Sequence, residues 1–354
     1  MQTGESILDL LREQGEQALK RSRRAVIIQP GAIGDCILTL PLARFMKKSL
    51  QLGAMDMIGR SDYISYFPTR TCIDKIRTLD SLQMHRLFCD PLDFQPTRRD
   101  SLIEAFAGYS WIVSFLGEPQ SPFEQNLIFA ANCSQSTEVI LLPDGRQADR
   151  HDHVSARHIR QLCANCGLKI KSPSDLFQSG VLIQPTQSDR RIGAQIIQQA
   201  GLNTDASVVV LCPGSGGRAK CWHFSNFLAV AEMLESAGAQ PLFLLGPAEL
   251  ERLSPDRIID IDRTGPFLTD LSLEEVLQVL SSAHAFVGND SGITHLAAAI
   301  GLDTIALFGP TDPATYRPLG PGVCVIEDKN PQFALGPSEE LQRRVLLQLE
   351  EFCA

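Results

Sequence analysis

Asp290, Ser291, Gly292 and His295 fall in the run Val287-Gly288-Asn289-Asp290-Ser291-Gly292-Ile293-Thr294-His295-Leu296-Ala297-Ala298-Ala299-Ile300-Gly301, an apolar strand that turns through small polar residues into a helix. Residues of these types bind anions. Asp290 and Ser291 start helices well, Gly292 lets a ligand approach the backbone, and the free N–H groups of the first turn carry the positive end of the helix dipole. The plainer reading is a well-capped core helix in which His295 is merely buried. Lys220 closes a second turn of this kind. Val208–Cys212 reads as a strand, and Pro213-Gly214-Ser215-Gly216-Gly217 as a flexible loop that delivers Lys220 ahead of a new helix. A lysine beside free backbone N–H groups suits phosphate oxygens, with a solvated loop lysine as the alternative. Asp35 occupies a third turn, Pro30-Gly31-Ala32-Ile33-Gly34-Asp35, between an apolar strand and an apolar helical start. It is either a proton acceptor facing a ligand cleft or a first-turn acid favoured by the helix dipole.

Holding such turns in place calls for strands whose ends lie side by side. From Ala25 to about Leu168, short apolar strands (Val26–Ile28, Met55–Ile58, Trp111–Phe115) alternate with helical stretches, which predicts βαβ units and a mainly parallel sheet. A second set predicts strands near Val208–Cys212, Pro241–Leu245, Arg257–Ile261, Ala285–Val287, Thr304–Phe308 and Gly322–Val325, with a last helix from about Ser338 to Phe352. Between the sets, Lys169–Ser188 carries prolines, serines and glycine and reads as an interdomain linker. The expected fold is α/β, with two doubly wound Rossmann-like domains, residues 1–180 and 181–354, facing a cleft at the carboxyl ends of their strands. Residues 6–24 are expected to form an amphipathic helix with Ile7, Leu8, Leu11, Ala18 and Leu19 on one face and Lys20, Arg21, Arg23 and Arg24 at its end. It would pack on its own domain, or touch anionic lipid headgroups.

A chain of 354 residues exceeds one ordinary core, and 44% apolar with 21% charged residues is the composition of a globular protein. The net charge of −9 argues against nucleic acid as a partner, so an anionic substrate must meet a local basic pocket. Ten scattered cysteines read as reduced thiols. No apolar run is long enough to span a bilayer, and the start lacks a signal core. These features predict a cytoplasmic protein, with peripheral contact on the inner face of the membrane left open.

The three turns occur in the order of a known family. The P-G-x-I-G-D turn, the P-G-S-G…K-x-W loop and the N-D-S-G-x-x-H-L-A-A-A-x-G helix start followed by Phe308-Gly309-Pro310-Thr311-Asp312-Pro313 resemble glycosyltransferase family 9, which contains the bacterial lipopolysaccharide heptosyltransferases. The resemblance implies the two-domain GT-B fold, in which the first half binds acceptor, the second binds sugar nucleotide, and the last helix crosses back to the first half. It implies an inverting transfer of a sugar, heptose from ADP-heptose, onto a lipopolysaccharide-core or related cell-envelope glycan. Asp35 would be the base, and Lys220 would neutralise the departing diphosphate, helped by N–H groups near Ser215, Gly216, Ser291 and Gly292. Asp290 would meet sugar hydroxyls, and His295 a phosphate oxygen unless it is a core histidine. Glu249, or Glu251 if the loop is shifted, would meet the ribose, and Thr311 and Asp312 would line the donor site. No cofactor and no metal are expected. A transferase for another nucleotide diphospho-sugar and a non-catalytic sugar-nucleotide-binding protein are the alternatives.

Three patterns compete with this reading. Asp260-Ile261-Asp262 spells a metal-holding D-x-D, but period-two geometry at a strand end explains it. Cys163 and Cys166 with His151, His153 and His158 lack the second pair that a zinc finger needs. Gly31–Asp35 lacks the first G-x-G of a dinucleotide loop. On the acceptor side, Arg60 is the candidate among Arg60, Arg70, Arg86, Arg98 and Arg99, and Phe115–Pro119 follows a strand toward the expected cleft. The polar stretch from Asp80 to Asp100 departs from the simplest family pattern.

Overall fold

The structure, a computed structural model, describes residues 23–97, 99–142, 152–170, 180–330 and 333–353. The expected N-terminal helix therefore lies, over residues 6–22, outside the described residues. Arg24 itself belongs to a strand, because Ala25-Val26-Ile27-Ile28 is a continuous apolar run buried on both faces, the signature of a parallel-sheet interior.

In the first unit, strands β1 (Arg24–Ile28), β2 (Ala54–Gly59), β3 (Lys75–Thr78), β4 (Trp111–Ser114) and β5 (Glu138–Leu141) form an all-parallel sheet in the order β3-β2-β1-β4-β5. Helix α1 (Ile33–Leu38) follows β1, then α2 (Leu40–Ser49), α3 (Pro122–Asn132) and α4 (Val154–Cys166). Ser121 caps α3 by accepting the Glu124 N–H at 3.4 Å, and Pro122 presets its first turn. Phe123, Leu127 and Ala131 then meet Val26, Ile28 and Ile112 in the core. The described residues of the polar stretch 80–100 form two short 3₁₀ segments and loop, anchored by Arg86 donating to both oxygens of Asp100 at 3.1 and 2.7 Å.

The second unit holds β6 (Val208–Cys212), β7 (Gln240–Leu244), β8 (Phe267–Leu268), β9 (Ala285–Asn289), β10 (Asp303–Phe308) and β11 (Val323–Glu327), all parallel, in the order β11-β10-β9-β6-β7-β8. This is the doubly wound dinucleotide-fold order. Its helices are α5 (Gln187–Gln199), α6 (Phe224–Ser236), α7 (Pro247–Arg252), α8 (Pro255–Thr264), α9 (Leu273–Leu280), α10 (Gly292–Ala299), α11 (Pro313–Tyr316) and α12 (Glu339–Cys353). Helix α1, although it precedes most of the first unit in sequence, clusters with this second unit.

Three expectations need correction or restatement. Arg257–Ile261 is not a strand but the middle of α8. Ser254 caps that helix through the Arg257 N–H at 3.4 Å and Pro255 sits at its first position, a start signal that outweighs the short Ile258-Ile259 run. The linker read over 169–188 is shorter than expected. Leu182 and Ile183 are buried and both donate to the Ala299 carbonyl, at 2.8 and 3.0 Å, and α5 starts at Gln187 behind a Thr186–Asp189 capping box. The last helix, expected to cross to the first half, packs Leu341, Val345 and Leu349 into the core of the second. Among the described residues, no helix is long and apolar enough to cross a membrane.

Candidate active site

The site is built at the carboxyl ends of β6, β7, β9 and β10. Each of these strands is mainly apolar and buried, and each ends where small or polar residues release the chain into a loop. The loop after β6 brings Ser215 and Lys220, the turn after β7 brings Glu249, the turn after β9 brings Asp290 and α10, and the loop after β10 brings Thr311.

Three of these residues converge on one atom. Lys220 Nζ lies 2.6 Å from Asp290 Oδ2, and Thr311 Oγ1 donates to the same oxygen at 2.8 Å. Asp290 is buried, whereas the Lys220 side chain is 37% exposed, so a buried carboxylate anchors the ammonium head of a side chain that solvent still reaches. Ser215 Oγ donates to the Asp290 carbonyl at 2.6 Å, tying the glycine loop to the same turn. Residues 21 to 75 positions from Asp290 thus form one polar cluster around it. It offers an ammonium, two hydroxyls already engaged and, at the start of α10, the Gly292 and Ile293 N–H groups, which have no intrahelical acceptor. Ser291 caps α10 by accepting the Thr294 N–H at 3.4 Å.

His295 is buried one turn into α10. Burial pushes its imidazole down to about 4; the Asp290 carboxylate opposes this, while His153 and Lys220 add to it. Its Nδ1 is buried without a hydrogen-bond partner among the described residues. Helix α1 packs directly on α10. A Cβ on Gly34 would stand 3.0 Å from His295 Cδ2, and one on Gly292 would stand 2.7 Å from Ile33 Cβ, so both glycines are required by close approach. Asp35 is therefore carried beside α10. It is exposed, and its Oδ2 accepts the Ala32 N–H at 2.9 Å, the bond expected of a first-turn acid.

Glu249 lies in the first turn of α7. Its Oε2 accepts the Gly246 N–H at 2.7 Å, and its carboxylate fills the space over Gly214, where a Cβ would stand 1.3 Å from Oε1. Glu251 is exposed on the same short helix. Beside Thr311 opens a cavity of about 740 Å³ lined by Arg218, Pro310, Asp312, Asn330, Phe333 and Leu335 among others. Asp312 itself caps α11 through the Ala314 N–H at 2.9 Å. Trp222 is in the core, so Lys220 is held by Asp290 rather than against the indole.

Two residues with no assigned role in the sequence reading organise the loop. Asn289, fully buried, accepts the Trp222 N–H at 2.8 Å and donates to the Pro213 carbonyl at 2.7 Å, pinning both ends of the loop. Its signal was available, since a polar residue at the end of a buried strand must find partners. Arg252 donates to the Ser215 and Gly216 carbonyls at 2.8 and 3.1 Å; nothing local in the sequence marks it.

The other candidates belong to other elements. In the first unit, Arg60 is exposed just after β2 with its guanidinium 4.6 Å from the Tyr63 ring centroid, Arg70 donates to the Tyr66 carbonyl at 3.3 Å, and Phe115 meets the His158 ring at 4.6 Å and a tilt of 58°. Arg98 and His151 lie outside the described residues. Asp260 and Asp262 sit two apart on α8, so they point to different sides of a helix and cannot converge as a D-x-D at a strand end would.

Two parallel sheets of doubly wound strand order in one chain define an α/β protein of the GT-B class. The chain belongs to glycosyltransferase family 9 (heptosyltransferase), whose family model matches residues 146–340. Among relatives, lipooligosaccharide heptosyltransferase 2 of Haemophilus influenzae is 30% identical over 150 residues, 41% of this chain and 43% of that protein. The match thus spans less than half the length of that curated relative. Among solved structures, a glycosyl transferase family 9 protein from Veillonella parvula aligns with a TM-score of 0.70 at 18% identity, covering 94% of this chain and 97% of that one. The E. coli ADP-heptose LPS heptosyltransferase II aligns with a TM-score of 0.66 at 19% identity, covering 93% and 98%. The turn carrying Asp35, the first of the three family-ordered turns read from sequence, lies outside the span of the family model.

Proposed function

We propose that this protein is an inverting, metal-independent glycosyltransferase that moves heptose from ADP-heptose onto a lipopolysaccharide-core or related cell-envelope glycan. The observation that carries the reading is the meeting of Lys220, Asp290 and Thr311 on one carboxylate oxygen at the carboxyl edge of a doubly wound sheet. That edge is where such sheets take phosphorylated ligands. Residues 181–354 bind the donor. The diphosphate lies against Lys220, the loop at Ser215 and Gly216, and the first turn of α10 at Ser291 and Gly292; Glu249 takes the ribose, Asp290 and Thr311 face the sugar, and His295 backs the phosphate. Residues 1–180 bind the acceptor, with Arg60 its candidate contact. The enzyme works on the cytoplasmic side, at the inner face of the membrane.

The chemistry follows from these groups. Asp35 takes the proton of the acceptor hydroxyl as its oxygen attacks the anomeric carbon. The carbon–oxygen bond to the diphosphate breaks, and the electron pair leaves with ADP. Lys220 and the backbone N–H groups stabilise the charge that develops there, which is the task a divalent ion performs in other transferases.

The test is protection against thermal unfolding by ADP, ADP-heptose and UDP-sugars, followed by mass detection of the glycosylated acceptor, all in EDTA. ADP-heptose should protect best and add one heptosyl unit. Protection by UDP-sugars alone would move the donor to another nucleotide. Binding without transfer to any envelope acceptor would make the protein a binder. Activity lost in EDTA and restored by magnesium or manganese would refute the metal-free mechanism.

A further inference from the structure

Arg252 is the last residue of α7, and its guanidinium reaches back to take two successive carbonyls of the glycine loop, Ser215 O at 2.8 Å and Gly216 O at 3.1 Å. The peptide bonds concerned are trans and planar, so each carbonyl points opposite to the N–H of the same plane. Fixing the carbonyls of Ser215 and Gly216 toward Arg252 therefore turns the N–H groups of Gly216 and Gly217 to the other side of the loop. Neither N–H donates to an acceptor among the described residues. Gly216 is exposed and a Cβ on it would meet nothing within 4 Å, and one on Gly217 would meet the aliphatic Cγ of Lys220 at 3.7 Å. Two donors without an acceptor among the described residues thus lie on the loop that carries Lys220. A fork of five donors is the side chain suited to hold two adjacent carbonyls, and its positive charge on the oxygens polarises the same peptides, strengthening their N–H groups as donors.

From this geometry we propose that Arg252 is a positioning residue for the anion site: it holds the Gly216 and Gly217 N–H groups as a preformed pair of donors for the diphosphate beside Lys220. The proposal rests on the reading of the loop as a diphosphate site. It adds Arg252 and the Gly217 N–H to that site. It also gives α7 two functions from one short helix, since Glu249 in its first turn faces the nucleoside side and Arg252 at its end orients the phosphate side. Arg252 does not touch the ligand. Its effect passes through the two peptide planes, and its signature is a loss that depends on phosphate.

The experiment compares ligands with and without that group. Affinities of ADP and adenosine, and of UDP and uridine, are measured by calorimetry or competition for the wild-type protein, Arg252→Ala and Arg252→Lys, each with its melting temperature. For whichever nucleotide the wild type binds, Arg252→Ala should weaken the diphosphate about tenfold or more while the nucleoside changes less than twofold. Arg252→Lys, whose single ammonium cannot span both carbonyls, should fall between. Added ethylguanidinium should recover part of the lost affinity in Arg252→Ala. Equal loss for nucleoside and diphosphate would mean that Arg252 only supports α7 and would overturn the proposal, as would unchanged diphosphate affinity. If Arg252→Ala does not fold, Arg252→Lys with the same ligand pairs decides on the same criterion. A wild type that binds nucleosides and diphosphates alike, or neither, would overturn the diphosphate reading itself, a result separate from any effect at Arg252.

Discussion

Removing Lys220 should expose how the site is held together before any ligand arrives. Asp290 is 6% exposed, and its Oδ2 receives Lys220 at 2.6 Å and Thr311 at 2.8 Å. Lys220→Ala leaves that oxygen with the hydroxyl alone, inside a site that cannot fully hydrate it. A hydrogen bond to a charged group is worth about 1.5–3 kcal/mol, and solvent reaches the 37%-exposed lysine side chain, so the lower end, about 1.5 kcal/mol, applies. For a unit of this size that is a fall in Tm of about 3–6 °C. Asp290→Asn removes the charge that Lys220 neutralises, and the lysine head then turns to water. The double variant should therefore lose less than the sum of the singles, with a coupling of about 1 kcal/mol. Urea unfolding of the four proteins measures it. With ADP present the two singles should diverge, because Lys220→Ala loses about tenfold in affinity, whereas Asp290→Asn keeps its affinity, its lysine no longer being shared with a carboxylate. Strictly additive stabilities, or ADP affinity indifferent to Lys220→Ala, would refute the argument.

Two further outcomes follow from neighbouring residues. Burial holds the His295 imidazole down to about 4, below its unfolded value near 6.5, so between these pH values the unfolded chain binds a proton that the folded one refuses. His295 should then give a stability that is fully present above pH 6.5 and declines toward pH 4, by up to about 1.4 kcal/mol per pH unit; His295→Gln should flatten that slope in urea titrations, and an unchanged slope would assign it elsewhere. Gly214→Ala places a methyl where the Glu249 carboxylate sits, at 1.3 Å, so Glu249 must leave and its bond to the Gly246 N–H is lost. Nucleoside affinity should fall while stability drops by about 1.5 kcal/mol, the lower value of a hydrogen bond to a charged group, since solvent reaches this one; full nucleoside affinity would remove Glu249 from the site.

Much of this was legible from residue types. Val208–Cys212 is apolar at every position and could only be a buried strand, and the small residues that follow it mark the loop. Arg257–Ile261 misled because a short run with two adjacent isoleucines carries no period, and the informative signal, Ser254-Pro255, lies before it. The convergence of Lys220, Thr311 and Asp290 was not legible at all. It depends on β6, β9 and β10 being neighbours in the sheet, which no local pattern encodes. The same holds for Arg252, whose partners are 36 and 37 residues away. The position of α1 on α10 is a middle case. Gly292 was read as a place of close approach by a ligand, but only the structure shows Ile33 there and His295 against Gly34.

Asp35 separates a transferase from a protein that only binds its donor. Its carboxylate accepts the Ala32 N–H at 2.9 Å, so a purely structural role would cost Asp35→Asn a few tenths to about 1 kcal/mol of stability and leave transfer largely intact. A base acts only as the new bond forms. The decisive measurement is single-turnover transfer from ADP-heptose, with ADP affinity and Tm taken on the same preparations of wild type and Asp35→Asn. The wild type should transfer heptose, and the variant should do so about 10²–10⁴-fold more slowly at nearly unchanged ADP affinity. Near-normal transfer by Asp35→Asn would contradict the role of Asp35 as base.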